Sequence, residues 1–451
     1  MPLMLFLLVL IIFQVFFQGI SEASDFVDRA TGIDQTFNLG NSERHYAEGF
    51  HRKETYGILP DKRPENQWLF SKSIGAAVTY DDNLFQTRTD PKDDLIYAYS
   101  VPLSLSRKTE NTNLAFAYSA LYANYTENHK QNTLSHRTSQ GWTYKKNRLD
   151  FSISNSFTPG TKVATGDRSE LNVNEDGLVT TIQDSLGTNI KYKVSPKTSV
   201  GFSLGYSYFF LPIKKNSDNA TISSSSTKTI SMAPTLYYAW TPKTTLHATY
   251  GFSTVDYFKR TNTSDNFSSQ STEFTVGGNG RLTSKMTFDL DTGFSTTTYR
   301  NKDITPSRGF VLKGAIHRKL TPKIPITASY VRSIGQSFDT IEHSAVTSVN
   351  TTYGLDATYQ LASRLTLDAA AQYTYSTTKD IFVSGPDVEN DFLTFTRQPE
   401  SEQITWDLGL NWTPKYLLPL RLGYSNIKQH NTFKSGEYNQ QKLVLSSQYS
   451  F

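Results

Sequence analysis

The sequence predicts an all-β fold, a transmembrane antiparallel up-and-down β-barrel of about 18 strands (16–18), with short periplasmic turns and longer extracellular loops. Three observations carry this reading. A turn punctuation recurs as Ser195-Pro196-Lys197, Thr241-Pro242-Lys243, Thr283-Ser284-Lys285, Thr321-Pro322-Lys323, Ala362-Ser363-Arg364 and Thr413-Pro414-Lys415. Its copies stand about 40–50 residues apart, enough for one tight turn, two strands of about ten residues and a longer loop. Each copy is followed by a run in which apolar residues alternate with small or polar ones. Apolar residues make up only 37% of the chain, yet it holds 26 Tyr and 28 Phe. That balance suits a hollow, hydrated wall with aromatic girdles better than one large packed core.

The elements follow in chain order. Met1 to Ile20 is almost wholly apolar and leads into Ser21-Glu22-Ala23, a small-x-small cleavage pattern. Residues 1–23 are therefore expected to be a signal peptide cut before Ser24. No Lys or Arg precedes the apolar run, which departs from the usual pattern; an uncleaved anchor is the alternative, but the run is short for a span and broken by Gln14 and Gln18. Residues 24–67 lack alternation and hold Pro60, Pro64, Arg52-Lys53-Glu54 and Asp61-Lys62-Arg63. They read as a polar N-terminal periplasmic extension or plug.

Residues 68–451 read as the barrel. Its first strand is expected from near Lys72 to Leu84 and its last from near Tyr438 to Phe451. Two further turns, Arg107-Lys108-Thr109-Glu110-Asn111 and Lys145-Lys146-Asn147-Arg148, join the six above. Eight turns separate nine hairpins. Long loops are expected near 158–178, 211–226, 258–268 and 378–397, with shorter ones near 86–92 and 300–306.

Successive Cβ atoms of a strand point to opposite faces, so each run has a greasy and a wet side. Val200, Phe202, Leu204, Tyr206 and Tyr208 oppose Gly201, Ser203, Gly205 and Ser207; Trp406, Leu408, Leu410 and Trp412 oppose Asp407, Gly409 and Asn411. In a barrel the greasy rows meet lipid and the wet rows line the lumen, whereas a soluble sandwich would bury the greasy rows between two sheets. The wet rows supply the candidate lumen-lining residues Asp150, Lys191, Lys193, His247, Asp289, Asp291, Lys313, His317, Asp356, Asp368, Asp407 and Arg421. Both charge signs are present, so a single-sign selectivity ring is not expected. Most aromatics fall on the greasy side.

At the C-terminus, Leu443, Leu445, Tyr449 and Phe451 share one face. A terminal Phe closing an alternating strand resembles the signal read by the outer-membrane barrel assembly machinery of Gram-negative bacteria. That resemblance implies the bacterial cell outer membrane as location, with this machinery, outer-membrane lipid and lipopolysaccharide as partners.

The first strand and its exit read Gly75-Ala76-Ala77-Val78-Thr79-Tyr80-Asp81-Asp82-Asn83-Leu84-Phe85, followed by Asp93-Asp94-Leu95-Ile96. A strand ending in Tyr80, Asp81, Asp82, Asn83, Leu84 and Phe85, then an acidic loop and a return strand, resembles the opening hairpin of β-barrel porins associated with exopolysaccharide biosynthesis and export loci. The quoted residues cover about a tenth of the chain. The resemblance implies an outer-membrane channel component for export of an exopolysaccharide, with periplasmic polysaccharide-export proteins as partners. The alternatives are a general diffusion porin for small hydrophilic solutes, and a closed structural or adhesive barrel or surface enzyme. Read on its own chemistry, Asp81-Asp82-Asn83 ends a strand by side-chain bonds to nearby backbone; a calcium or sugar contact is the sharper alternative.

Motifs for chemistry are scarce, and no cofactor or metal is expected. The chain has no Cys, and its eight His show no zinc-ligand spacing. Asn172-Val173-Asn174-Glu175-Asp176-Gly177 begins like a calcium loop, but Gln183 stands where the bidentate Glu belongs. No nucleophile elbow or phosphate loop occurs, so no enzyme is expected. The residual catalytic options are His317 with a nearby Ser, and His136 with Ser135 or Ser139. A net charge of +4 from 45 basic and 41 acidic residues gives no field for nucleic acid.

Overall fold

The computed structural model describes residues 66–88, 90–163, 178–210, 226–258, 268–300, 306–339, 344–381, 400–414, 418–431 and 437–450. Eighteen strands run through them. The first six are β1 (Trp68–Asp81), β2 (Asp94–Lys108), β3 (Thr112–Tyr125), β4 (Thr133–Lys146), β5 (Leu149–Val163) and β6 (Leu178–Lys193). Then come β7 (Thr198–Phe210), β8 (Ser226–Thr241), β9 (Thr244–Phe258), β10 (Ser269–Thr283), β11 (Met286–Tyr299) and β12 (Ser307–Thr321). The last are β13 (Ile324–Asp339), β14 (Ser344–Ala362), β15 (Leu365–Ile381), β16 (Glu400–Trp412), β17 (Leu420–Asn431) and β18 (Tyr438–Ser450).

Every strand pairs antiparallel with its chain neighbours, and β1 also pairs with β18 from Ser73↔Ser450 to Asp81↔Lys442. The sheet is therefore closed, and no edge is left to template aggregation. Strands of 12 to 19 residues exceed the roughly 9–11 that cross the apolar layer, so the wall stands proud of the membrane.

The hydrophobic rows settle barrel against sandwich. Phe294 is 66% exposed and Trp240 64%, and Leu204, Leu355, Leu408 and Leu445 lie open beside them. A sandwich would have buried these side chains. Inward positions are Gly, Ser, Thr and charged residues, and the one apolar cluster among the described residues is small: Leu84, Phe85, Ile96, Ala123 and Tyr125.

The turns show why the punctuation recurs. The Ser195, Thr241, Thr283 and Thr321 hydroxyls accept the backbone N–H of Lys197, Lys243, Lys285 and Lys323 at 3.1–3.3 Å. Such side-chain bonds hold a short turn without a sheet partner. Asn147 makes the turn between β4 and β5 with φ 51, a left-handed conformation that Asn tolerates. Register slips by one residue at Trp240, Leu282, Leu320 and Leu361, each just before its turn. These are bulges, and each spare residue is large, apolar and exposed at the periplasmic rim.

Two strand bounds differ from expectation. β1 begins at Trp68 rather than near Lys72, because Trp68 to Lys72 pair with Arg107 to Leu103 of β2. It ends at Asp81 rather than Leu84, because the Asp81 carboxylate accepts the Asn83 backbone N–H at 3.0 Å and turns the chain inward. Outside the described residues lie the expected signal peptide, the expected extension as far as residue 65, Asn172 to Gly177, most of the expected long loops, and Phe451.

Candidate functional site

The inner wall carries the chemistry. Each of the twelve candidate lumen residues occupies an inward register position, opposite in parity to the exposed rows. On one side they form a belt. Asp150 of β5 pairs with Lys191 of β6, and Lys145 Nζ stands 3.7 Å from the Asp150 carboxylate. Lys193 sits inward at the periplasmic end of β6, beside Ser199. Lys191 Nζ lies 4.0 Å over the Tyr237 ring, which is close enough for a cation–π contact. Gly201 makes room for that ring: a Cβ there would meet it at 2.8 Å.

Tyr237 tilts against His247, with ring centroids 6.0 Å apart. His247 Nε2 then reaches Asp291 Oδ1 at 2.5 Å across the whole width of β10. The strand between them presents Gly277, and a Cβ there would collide with both side chains. Lys313 faces Asp291 in register and places Nζ 3.4 Å from Glu273 Oε1. Asp289 lies one inward step nearer the turn, between Asn279 and Ala315. His317 Nδ1 is 2.9 Å from Thr327 Oγ1, and Asp356 neighbours that threonine.

Across the barrel, Asp368 accepts Thr358 Oγ1 at 2.8 Å and Asn411 Nδ2 at 2.6 Å. Arg421 leans over Gly409, its guanidinium 3.4 Å from where a Cβ would stand. Asp407 sits between Ala370 and Ser425. The structure thus joins His247, Asp291 and Lys313 in one group and Asp368 with Arg421's neighbours in another. Both signs occur around the wall, with three acids in succession, Asp356, Asp368 and Asp407, on β14 to β16.

The mouth is built from the Tyr80–Phe85 segment, and its polar groups are spent on closing the barrel. Gln440 Nε2 donates to both Asp81 carboxylate oxygens at 2.9 and 3.0 Å, and Lys442 Nζ is 3.1 Å from Asp81 Oδ2. Asp82 Oδ1 accepts the Gln441 backbone N–H at 2.6 Å, and Asn83 Nδ2 donates to the Asn439 carbonyl at 3.0 Å. All three are committed to β18, so the segment is a clasp across the seam rather than an open ligand set. Leu84 and Phe85 then turn inward against Ile96, Ala123 and Tyr125. Asp94 fastens the next loop by accepting from Thr126, Glu127 and Asn128 in five bonds of 2.8–3.2 Å.

Sequence reasoning missed Lys442, Gln440, Glu273 and Tyr237. Parity alone would have placed all four inward; their partners come from strands remote in the chain. Most strand aromatics do stand on the outward rows, as expected, with Tyr125, Tyr237 and Phe85 among the inward exceptions. Two expectations need correction. His136 is outward while Ser135 and Ser139 are inward, so neither serine pairs with the imidazole. His317 is flanked across the sheet by Thr287 and Thr327, not by Ser. Among the described residues no group of three or more His, Cys, Asp or Glu could hold a metal.

Comparison with known proteins places this geometry. A family model described as "Putative beta-barrel porin 2" matches residues 67–449, nearly the whole described wall. No curated protein matches the chain. Among solved structures, the chain is similar to Pseudomonas aeruginosa OpdK crystallised with vanillate, at 11% identity and TM-score 0.43, covering 85% of this chain and 99% of that one. Acinetobacter baumannii OccAB3 is similar at 12% identity and TM-score 0.44, with 85% and 99% covered. Pseudomonas aeruginosa OccK2 (OpdF) with glucuronate is similar at 9% identity and TM-score 0.44, with 85% and 98% covered.

Proposed function

The chain belongs to the beta-barrel porin 2 family, and on that premise we propose that it is a passive outer-membrane channel for small hydrophilic solutes. As a porin it resides in the bacterial outer membrane. The observation that carries the proposal is the presence of both charge signs around the inner wall. Asp150, Lys191, His247, Glu273, Asp291 and Lys313 occur in that order from β5 to β12, and Asp356, Asp368, Asp407 and Arg421 follow on β14 to β17. Single-sign rings select ions, whereas intermixed acids, bases, hydroxyls and amides hydrate neutral or weakly charged solutes without rejecting either sign. The twelve inward candidates are assigned this lining role.

Liposome swelling with neutral sugars of rising size tests the proposal: uptake should fall smoothly with size and show no saturation. Liposomes that do not swell would point to a closed structural barrel.

Export of an exopolysaccharide is the second reading, and Tyr237 is the observation that favours it. An inward aromatic ring packed against Gly201, with the Lys191 ammonium over it, places an aromatic surface and a cation on the wall that a passing sugar would meet. A deletion strain that secretes normal amounts of polysaccharide would remove this reading and leave the diffusion channel intact.

A further inference from the structure

The outward face of β3 to β6 carries hydrogen-bonded polar side chains, as the Asn426–Asn439 pair of β17 and β18 also does, whereas β15 and β16 are apolar over most of their outward length. On β15 and β16 the outward rows run Leu367, Ala369, Ala371, Tyr373 and Ile404, Trp406, Leu408, Leu410, without a strongly polar member. On β3 to β6 the same face carries Tyr118, His136, Thr138, Gln140, Asn155 and Asp184, with the register placing them beside the exposed Tyr122, Leu134, Ile190 and Tyr192. These polar groups are wired together. Tyr118 Oη and His136 Nδ1 are 2.7 Å apart. Gln140 Nε2 donates to Asn155 Oδ1 at 3.3 Å, and Asn155 Nδ2 donates to Asp184 Oδ1 at 2.8 Å.

Depth makes the arrangement costly. Gln140 and Asn155 each stand six residues inside their strands from the β4–β5 turn. At 3.3 Å per residue on a strand tilted by 35–45°, that is about 15 Å up an apolar band roughly 25 Å tall. Lipid tails offer such groups no hydrogen bond, water is absent at that depth, and headgroups lie at the rims.

We propose that this face is where the barrel meets a second copy of itself in the membrane. Amides both donate and accept, so Gln140 and Asn155 can pair with the same residues of another copy. The patch also carries its own acid, Asp184, and its own base, His136, which makes it complementary to itself. Ala120, outward between Tyr118 and Tyr122, leaves room for close approach. Four strands at about 4.8 Å spacing give a stripe on the order of 15–20 Å wide, the scale of a wall-to-wall contact between cylinders.

The chain has no Cys, so single cysteines report contact cleanly. Thr188→Cys lies outward in the patch and Ala371→Cys lies outward on β15. In native outer-membrane vesicles, a short bis-maleimide should link T188C to a product of at least twice the monomer mass and leave A371C as monomer. Protein carrying Gln140→Leu, Asn155→Leu and Asp184→Leu together should keep the heat-modifiable mobility of a folded barrel while native mass spectrometry shows only monomer. The proposal is overturned by a wild-type protein that is monomeric in its own membrane, or by equal cross-linking at both cysteines. It is equally overturned if the triple variant stays assembled, or if the patch proves to hold lipopolysaccharide that the triple variant loses.

Discussion

Lys442 is a lysine on a membrane strand that almost no solvent reaches, and its carboxylate partner is Asp81, on the first strand of the chain. The side chains are 9% and 2% exposed, so the pair is desolvated, and its worth lies in what breaking it costs. Removing one partner of a buried pair typically costs about 3–5 kcal/mol, because the other charge is left stranded. Lys442→Met should therefore lower the temperature at which the folded band unfolds in detergent gels. Asp81→Asn combined with Lys442→Met should recover most of that loss; a double variant as damaged as the single would show the two are uncoupled. Gly277 gives a second test at this scale. Its Cβ would strike His247 and Asp291, whereas one added at Gly141 meets nothing within 4 Å. Overpacking costs about 1–3 kcal/mol, so Gly277→Ala should fold in lower yield than Gly141→Ala under identical refolding. Residue types at both places are plain in the sequence; that they touch is not, since the first contact needs β1 beside β18 and the second needs the register of β9, β10 and β11.

Hairpins were the most legible elements. Thr-Pro-Lys and its variants mark a turn because a hydroxyl can accept the lysine N–H two residues on. What could not be read was the bulge before four of these turns, because Trp240 or Leu282 looks like one more step of the alternation until register is known. The segment after β1 was legible as a strand ending but not as a clasp with an inward flap. Phe85 is 3% exposed within that flap. Phe85→Ala removes its main anchor, at a cost typical of buried Phe of about 3–5 kcal/mol. The expected result is a higher single-channel conductance in planar bilayers together with faster tryptic cleavage at Arg88; unchanged conductance would mean the flap does not narrow the mouth.

For the whole molecule, the wall predicts weak selectivity. Under a salt gradient the reversal potential should lie near zero, and Lys191→Glu with Lys313→Glu should move it toward cation preference. A strongly selective wild-type channel would contradict the mixture of charge signs as the governing feature. The polar segment 24–67 is proposed to extend into the periplasm or to plug the bore. Deleting it should raise conductance in the second case and leave it unchanged in the first.

Periodicity by itself determined the closed barrel, the two faces of each strand and which charges look inward, because parity and turn chemistry are local properties of a chain. Tertiary structure alone decided what those side chains do. The His247–Asp291 bridge, the Asp81–Lys442 clasp and the polar stripe on β3 to β6 all depend on which strands become neighbours and in what register. Turns and facing rows set that register between successive strands, and closure adds the pairing of the first strand with the last.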